Sequence, residues 1–126
     1  IPLLNPGEVI NGVRARFGAP IELDLGQRGI RSIERVGSSY LIVAGPPADS
    51  GSFALYRWSG QAADAATPVA DIDLKELRPE ALFAIPGSGR VQLLSDDGGV
   101  KIAGVECKKL PAAQQTFRGL AITPRE

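Results

Sequence analysis

Two short stretches carry residue types able to do chemistry. In "VQLLSDDGGVK" (91–101) an apolar run ends on two adjacent carboxylates, Asp96 and Asp97, followed by Gly98 and Gly99. In "RPEAL" (78–82) a third carboxylate, Glu80, opens the strand-like run that precedes them. Clustered carboxylates without compensating bases have two chemical outlets. They bind a hard cation through oxygen ligands, or one of them holds a proton at a raised pKa and serves as a general acid. If 81–85 and 91–95 form a hairpin around "PGSG" (86–89), Glu80 lies opposite Asp96, where cross-strand side chains approach to about 5 Å. Glu80, Asp96 and Asp97 then share one hairpin end, and the same pairing in an earlier hairpin puts Arg31 near Ala44 at the same edge. The competing reading is structural. Asp-Gly is a strong hairpin-turn signal, because Gly accepts positive φ and Asp caps the turn, and Glu80 beside Arg31 or Arg78 is a simple strand-end ion pair.

Composition narrows the chemistry. The 126 residues include no histidine, which removes the Ser-His-Asp triad, the Cys-His pair, imidazole bases and His-ligated zinc. A single cysteine, Cys107, excludes an internal disulfide and a Cys-rich zinc or iron–sulfur site, and reads as a small core side chain. Catalysis on this chain has only carboxylates, Lys, Tyr or an oxygen-ligated metal to draw on. Charge is balanced, 14 basic against 14 acidic residues. Lys101, Lys108, Lys109 and Arg118 are the nearest thing to a basic cluster, too sparse for a nucleic-acid footprint. No apolar run is long enough to cross a membrane as a helix, so no membrane insertion is expected. No signal peptide is visible. The start "IPLLNPGEV" and the lack of methionine suggest that upstream sequence has been removed; the compartment is open.

The elements that must position these residues read as strands. "IELDL" (21–25) alternates apolar and polar, and "IRSIERV" (30–36), "YLIVA" (40–44), "FALYRWS" (53–59) and "PVADIDL" (68–74) follow at short intervals. "EALFAI" (80–85), "VQLLS" (91–95), "VKIAGVEC" (100–107) and "FRGLAIT" (117–123) complete the set. No window gives a convincing helical stripe, and "DLKELRPEAL" allows one turn at most before Pro79. The fold class is all-β. Two strand–turn–strand plans repeat: Ser32 aligns with Glu80 and Val43 with Leu94, a period of about fifty residues. Four antiparallel strands per unit at that period is the signature of a β-propeller blade. On this reading 1–25 are outer strands of a preceding blade, with Asn11-Gly12 as a turn, 26–75 form one blade and 76–126 the next. "YLIVA" and "VQLLS" are nearly continuous apolar runs because inner strands are covered on both faces. Two and a half blades cannot close a ring, so the chain needs missing blades in cis or in trans, or self-association, unless it closes as a small β-barrel.

The order "GIRSIERVGSSYLIVAGPPADSGSFALYRWSG", then "RPEALFAI", a Gly-containing turn and "LLSDDGG", resembles the bacterial domain-of-unknown-function family numbered 3616, over roughly residues 26–100. The resemblance implies a propeller-like repeat within a longer protein and implies no activity. More distantly, "PEAL…LLSDDGG" is similar to strand pairs of phytase-like and lactonase-like propellers, in which an acidic residue faces the central channel and calcium binds. This chain departs from that motif at Ala81, where those have Gly. The resulting expectation is ligand binding or interaction at a channel-mouth edge formed by Arg31, Glu80, Asp96 and Asp97, with no cofactor. The alternative is a calcium-dependent hydrolase holding its metal on Glu80, Asp96 and Asp97. "GPPADSGS" (45–52) would rim such a site, Phe53, Tyr56 and Trp58 read as packing aromatics, and "PGSGR" lacks the Lys-Ser/Thr and helix of a phosphate loop.

Overall fold

A computed structural model describes residues 1–124 apart from Asp49 and Lys75. The chain is mostly β, with antiparallel sheets and one short helix, α1 (Pro6–Ile10). The first sheet is a four-stranded meander of β1 (Gly29–Val36), β2 (Ser39–Gly45), β3 (Ala54–Trp58) and β4 (Thr67–Pro68) in sequence order. The second places β5 (Pro79–Ile85) beside β6 (Arg90–Ser95) and then β9 (Gly119–Ile122). Between β6 and β9 runs an insert holding a two-stranded hairpin, β7 (Lys101–Ile102) and β8 (Val105–Glu106), and two 3-10 turns. Each sheet is open, with β1 and β4, and β5 and β9, lying at opposite edges. The small closed barrel is therefore not what forms.

The two main hairpins share one plan, pair for pair. In the first, Ile30 pairs with Ala44, Arg31 is skipped, and Ser32 pairs with Val43, down to Val36 with Ser39. In the second, Pro79 pairs with Ser95, Glu80 is skipped, and Ala81 pairs with Leu94, down to Ile85 with Arg90. Arg31 and Glu80 are thus the bulge residues at the same place in two sheets, and Ser32 corresponds to Ala81. Val43 corresponds to Leu94, as the repeat in the sequence has it, whereas the match of Ser32 to Glu80 is one residue off. The turns differ in length. Gly37 at φ +62° serves a two-residue turn, and Gly87 and Gly89 take positive φ in the four-residue turn 86–89. The third strands correspond too, since Val43 pairs with Leu55 as Leu94 pairs with Gly119.

The core lies between the sheets: Leu41, Val43 and Leu55 of the first pack against Leu82, Val91 and Leu93 of the second, with Leu74 from the connection. The other face of the first sheet holds Ile42, Ala44 and Tyr56, covered by Leu23 and Leu25. Continuous burial therefore holds for β2, whose residues 41–45 are all buried, but the cover on one side is the segment 21–25. It fails for β6, where buried and half-buried residues alternate.

The segment 1–25 differs most from expectation. In place of outer strands it has α1 and one isolated bridge, Leu3 to Phe17. Asn11-Gly12 ends the helix: the Gly12 N–H donates to Val9 O and Val13 N–H to Glu8 O, with Gly12 at φ +85°. Buried Asn5 ties the segment together by accepting from Arg16 N–H (2.8 Å) and donating to Arg14 O and Glu8 Oε2. "IELDL" forms no strand yet keeps its alternation, Leu23 half-buried and Leu25 buried. Likewise "VKIAGVEC" is no single strand, because Ala103 and Gly104 at positive φ fold it into the β7–β8 turn. Of "PVADIDL", Pro68 belongs to the two-residue β4, and Val69 N–H adds one bond to Leu55 O.

Candidate functional site

The bulges bring Arg31 and Glu80 to the same edge of the two sheets. A bulge leaves one residue outside the ladder and turns its side chain. Across the gap Arg31 Nε lies 3.6 Å from Glu80 Oε1, and the Arg31 guanidinium also donates to Pro46 O. This partly exposed ion pair stands at the mouth of a cleft of about 830 Å³. One wall is the loop after β2, with Pro46, Ser50 and Ser52, and Phe53 stands beside it. Ile72, Leu74 and Leu77 supply the apolar floor, and Asp73, Arg78 and Asp96 complete the polar lining. The loop "GPPADSGS" does rim the cleft, although Asp49 within it lies outside the described residues.

Gly45 makes this wall possible. A Cβ there would sit 2.5 Å from the Phe53 ring and 2.9 Å from Arg31 Nε, so only glycine lets both pack over the end of β2. The Arg78 backbone is fixed, its N–H donating to Ser95 Oγ (2.9 Å) and its carbonyl accepting from Asp96 N–H (2.8 Å). Its guanidinium is exposed, reaches toward Gly99, and makes no hydrogen bond or ion pair with any described residue. Sequence reasoning weighed Arg78 only as an ion-pair partner of Glu80. Its place in the cleft depends on how the two sheets meet, which no local pattern reports.

The doubled aspartate splits into two roles. Asp96 is exposed on the cleft rim, and its Oδ1 accepts the Gly98 N–H (3.0 Å), closing the Asp-Gly turn. Asp97 is buried, 5% exposed, and does not line the cleft. Its Oδ2 accepts from Arg118 Nε and from the Arg118 backbone N–H, and its Oδ1 accepts from Arg118 Nη2 and Ser95 Oγ, all at 2.8 Å. The bidentate Arg118 guanidinium holds the carboxyl well below the ordinary carboxylate range, against the opposing effect of burial. Asp97 is a fastener between the end of β6 and the start of β9.

The structure thus gathers Arg31, Glu80 and Asp96 in one cleft and sends Asp97 elsewhere. Glu80 does not face Asp96 across the ladder, because the register is shifted by one and the bulge takes Glu80 out of it. Among the described residues no three carboxylates or thiols are placed to hold one metal ion. Cys107 is buried within the insert, its Sγ donating to Thr116 O and accepting from Thr116 N–H. Tyr56 is buried, and Trp58 packs against Tyr40 with ring centroids 5.6 Å apart. Lys108 and Lys109 pair with Glu106, and Arg118 with Asp97. No family model, curated protein or solved structure matches the chain.

Proposed function

We propose that the chain is a propeller-like pair of blades that binds a small polar ligand in the cleft at its bulge edge, without catalysis. One observation carries the reading: two sheets are bulged at the same register, so that Arg31 and Glu80 frame a cleft whose Arg78 guanidinium has no partner among the described residues. Arginine is suited to planar anionic groups such as carboxylate or phosphate. Glu80 and Asp96 Oδ2 offer acceptors for hydroxyl or amine groups on the same molecule. An apolar floor with a few convergent polar groups is the usual make-up of a ligand site. The resemblance to the family numbered 3616 supports the propeller-like part of this reading, as does the head-to-tail match of the two hairpins. Further blades, in cis or in trans, would complete the ring.

The test is a titration of the ¹⁵N-labelled chain with three probe classes: small dicarboxylates, sugar phosphates and uncharged polyols. Shifts for an anionic class should cluster at Arg31, Ser50, Ser52 and Arg78, and Arg78→Ala should abolish them while the melting temperature stays the same. Scattered shifts, or clustered shifts indifferent to Arg78→Ala, would sink the reading. The calcium-dependent hydrolase separates from it in one measurement, because a bound ion must raise apparent stability by mass action. Melts in millimolar calcium and in chelator should coincide.

A further inference from the structure

The two sheets do not meet as mirror images. Leu41, Val43 and Leu55, which the first sheet turns toward the second, correspond in the repeat to Gln92, Leu94 and Gly119. Those three lie on the outer face of the second sheet. Conversely, Val91, Leu93 and Leu120, which the second sheet turns inward, correspond to Tyr40, Ile42 and Tyr56 on the first sheet's outer face. One face of a sheet therefore packs on the opposite face of the next, a heterologous contact that does not use itself up. At one end of this two-sheet stack the free face is occupied, since Leu23 and Leu25 lie on Ile42, Ala44 and Tyr56. At the other end Phe83 is 45% exposed, its neighbours Ala81 and Ile85 are only half-buried, and half-buried Leu94 borders the insert.

We infer that the outer face of β5–β6–β9 is a docking face for another antiparallel sheet of the same kind, one presenting branched and aromatic side chains at the places of Ile42 and Tyr56. The inference rests on the repeat reading above and is independent of the cleft. The molecule's own interface supplies the partner's chemistry: it shows what covers this face one unit earlier. It also shows a difference. At the existing interface Ser32 Oγ and Glu34 Oε1 accept from the N–H groups of Leu82 and Ala84 on the edge of β5. Ala81 and Phe83 stand at the corresponding positions of the second sheet, so the contact there is apolar instead of polar, while Gln92 and Gly119 stand where the first sheet has Leu41 and Leu55. The strap 21–25 meanwhile blocks the complementary face, so that copies of the chain do not add to one another end to end.

The test builds the missing partner from the chain itself. Leu23→Asp with Leu25→Asp releases the strap and bares the Ile42–Tyr56 face, and Phe83→Glu in the same chain prevents its self-addition. Sedimentation velocity of this variant mixed with the wild-type chain should show a one-to-one complex. The same mixture with a wild-type strap and Phe83→Glu in the second chain should show none. Should the double replacement unfold the chain by circular dichroism, Leu25→Gln alone releases the strap for the same mixtures. No complex with a folded, strap-released chain would overturn the inference while leaving the cleft reading intact, and so would a complex indifferent to Phe83. A wild-type chain that already dimerises through Phe83 would make the face its own partner and overturn it as well. Phe83→Glu by itself should leave the melting temperature within about 2 °C, since the side chain is exposed in the free chain; a loss of many degrees would mean the face is already covered.

Discussion

Asp97 and Arg118 form a bidentate ion pair, with Nε 2.8 Å from Oδ2, and it is a fastener rather than a site. The carboxylate is buried and accepts four hydrogen bonds, whereas the guanidinium is nearly half exposed. Removing the two partners is therefore not symmetric. Arg118→Ala strands a buried charge and should cost about 3–5 kcal/mol, while Asp97→Ala leaves a cation that water can still reach and should cost about 2–3 kcal/mol. Denaturant melts of both variants and of the double variant check this, with the double costing less than the sum. The pH dependence has a definite sign. The folded-state pKa of Asp97 lies below its unfolded value, so its contribution is full above the ordinary carboxylate range and is lost as pH falls toward the folded value. Without the Arg118 guanidinium the largest lowering influence is gone, and only the Ser95 hydroxyl and the backbone N–H of residue 118 still oppose the effect of burial on the carboxyl. The gap between wild type and Arg118→Ala should accordingly be widest near pH 7 and narrow below about pH 4. A gap that stays constant with pH would argue that Arg118 stabilises by packing alone.

At the scale of elements, the strand centres were legible and their ends were not. "YLIVA", "FALYRWS" and "EALFAI" each fall on a strand, because β-branched and aromatic runs bounded by Gly, Pro or Ser have few other ways to bury themselves. The register slipped by one at Glu80, since a bulge leaves no mark in hydrophobic alternation, and that single residue decided whether Glu80 faces Asp96 or Arg31. The segment 1–25 departs from the expected strands for a related reason. Its apolar residues alternate as a strand's would, but Leu23 and Leu25 bury against side chains without joining a ladder. The hairpin inside "VKIAGVEC" was hidden because Ala103, at φ +49°, occupies a turn position that favours Gly, Asn or Asp. That strain predicts an outcome. Ala103→Gly should raise stability by about 0.5–1 kcal/mol, read as a higher melting temperature, because the native conformation then carries no Cβ penalty. A β-branched residue such as Val at 103 should lower it.

For the molecule as a whole, the repeat decides which residues count. Leu93 and Leu94 are adjacent, alike and both in β6, yet one belongs to the core shared by the two sheets and the other to the open face. Composition cannot tell them apart, and only the shared register of the two hairpins can. Leu93→Ala should cost about 2.5–5 kcal/mol, the range for a fully buried leucine, and Leu94→Ala less than about 1.5 kcal/mol. Because Leu41, Val43 and Leu55 of the first sheet share that core, the loss should not stay in the second sheet. Native-state hydrogen exchange of Leu93→Ala should show the slow amides of β2 and β6 losing protection together, by the same free energy. The hairpin β7–β8 should exchange by its own faster opening, since it contributes no residue to either core cluster and Ile102 and Val105 are exposed. Loss confined to β5, β6 and β9 would mean that the two sheets are separate cooperative units, and the head-to-tail interface between them would then be too weak to serve as the template for a third sheet.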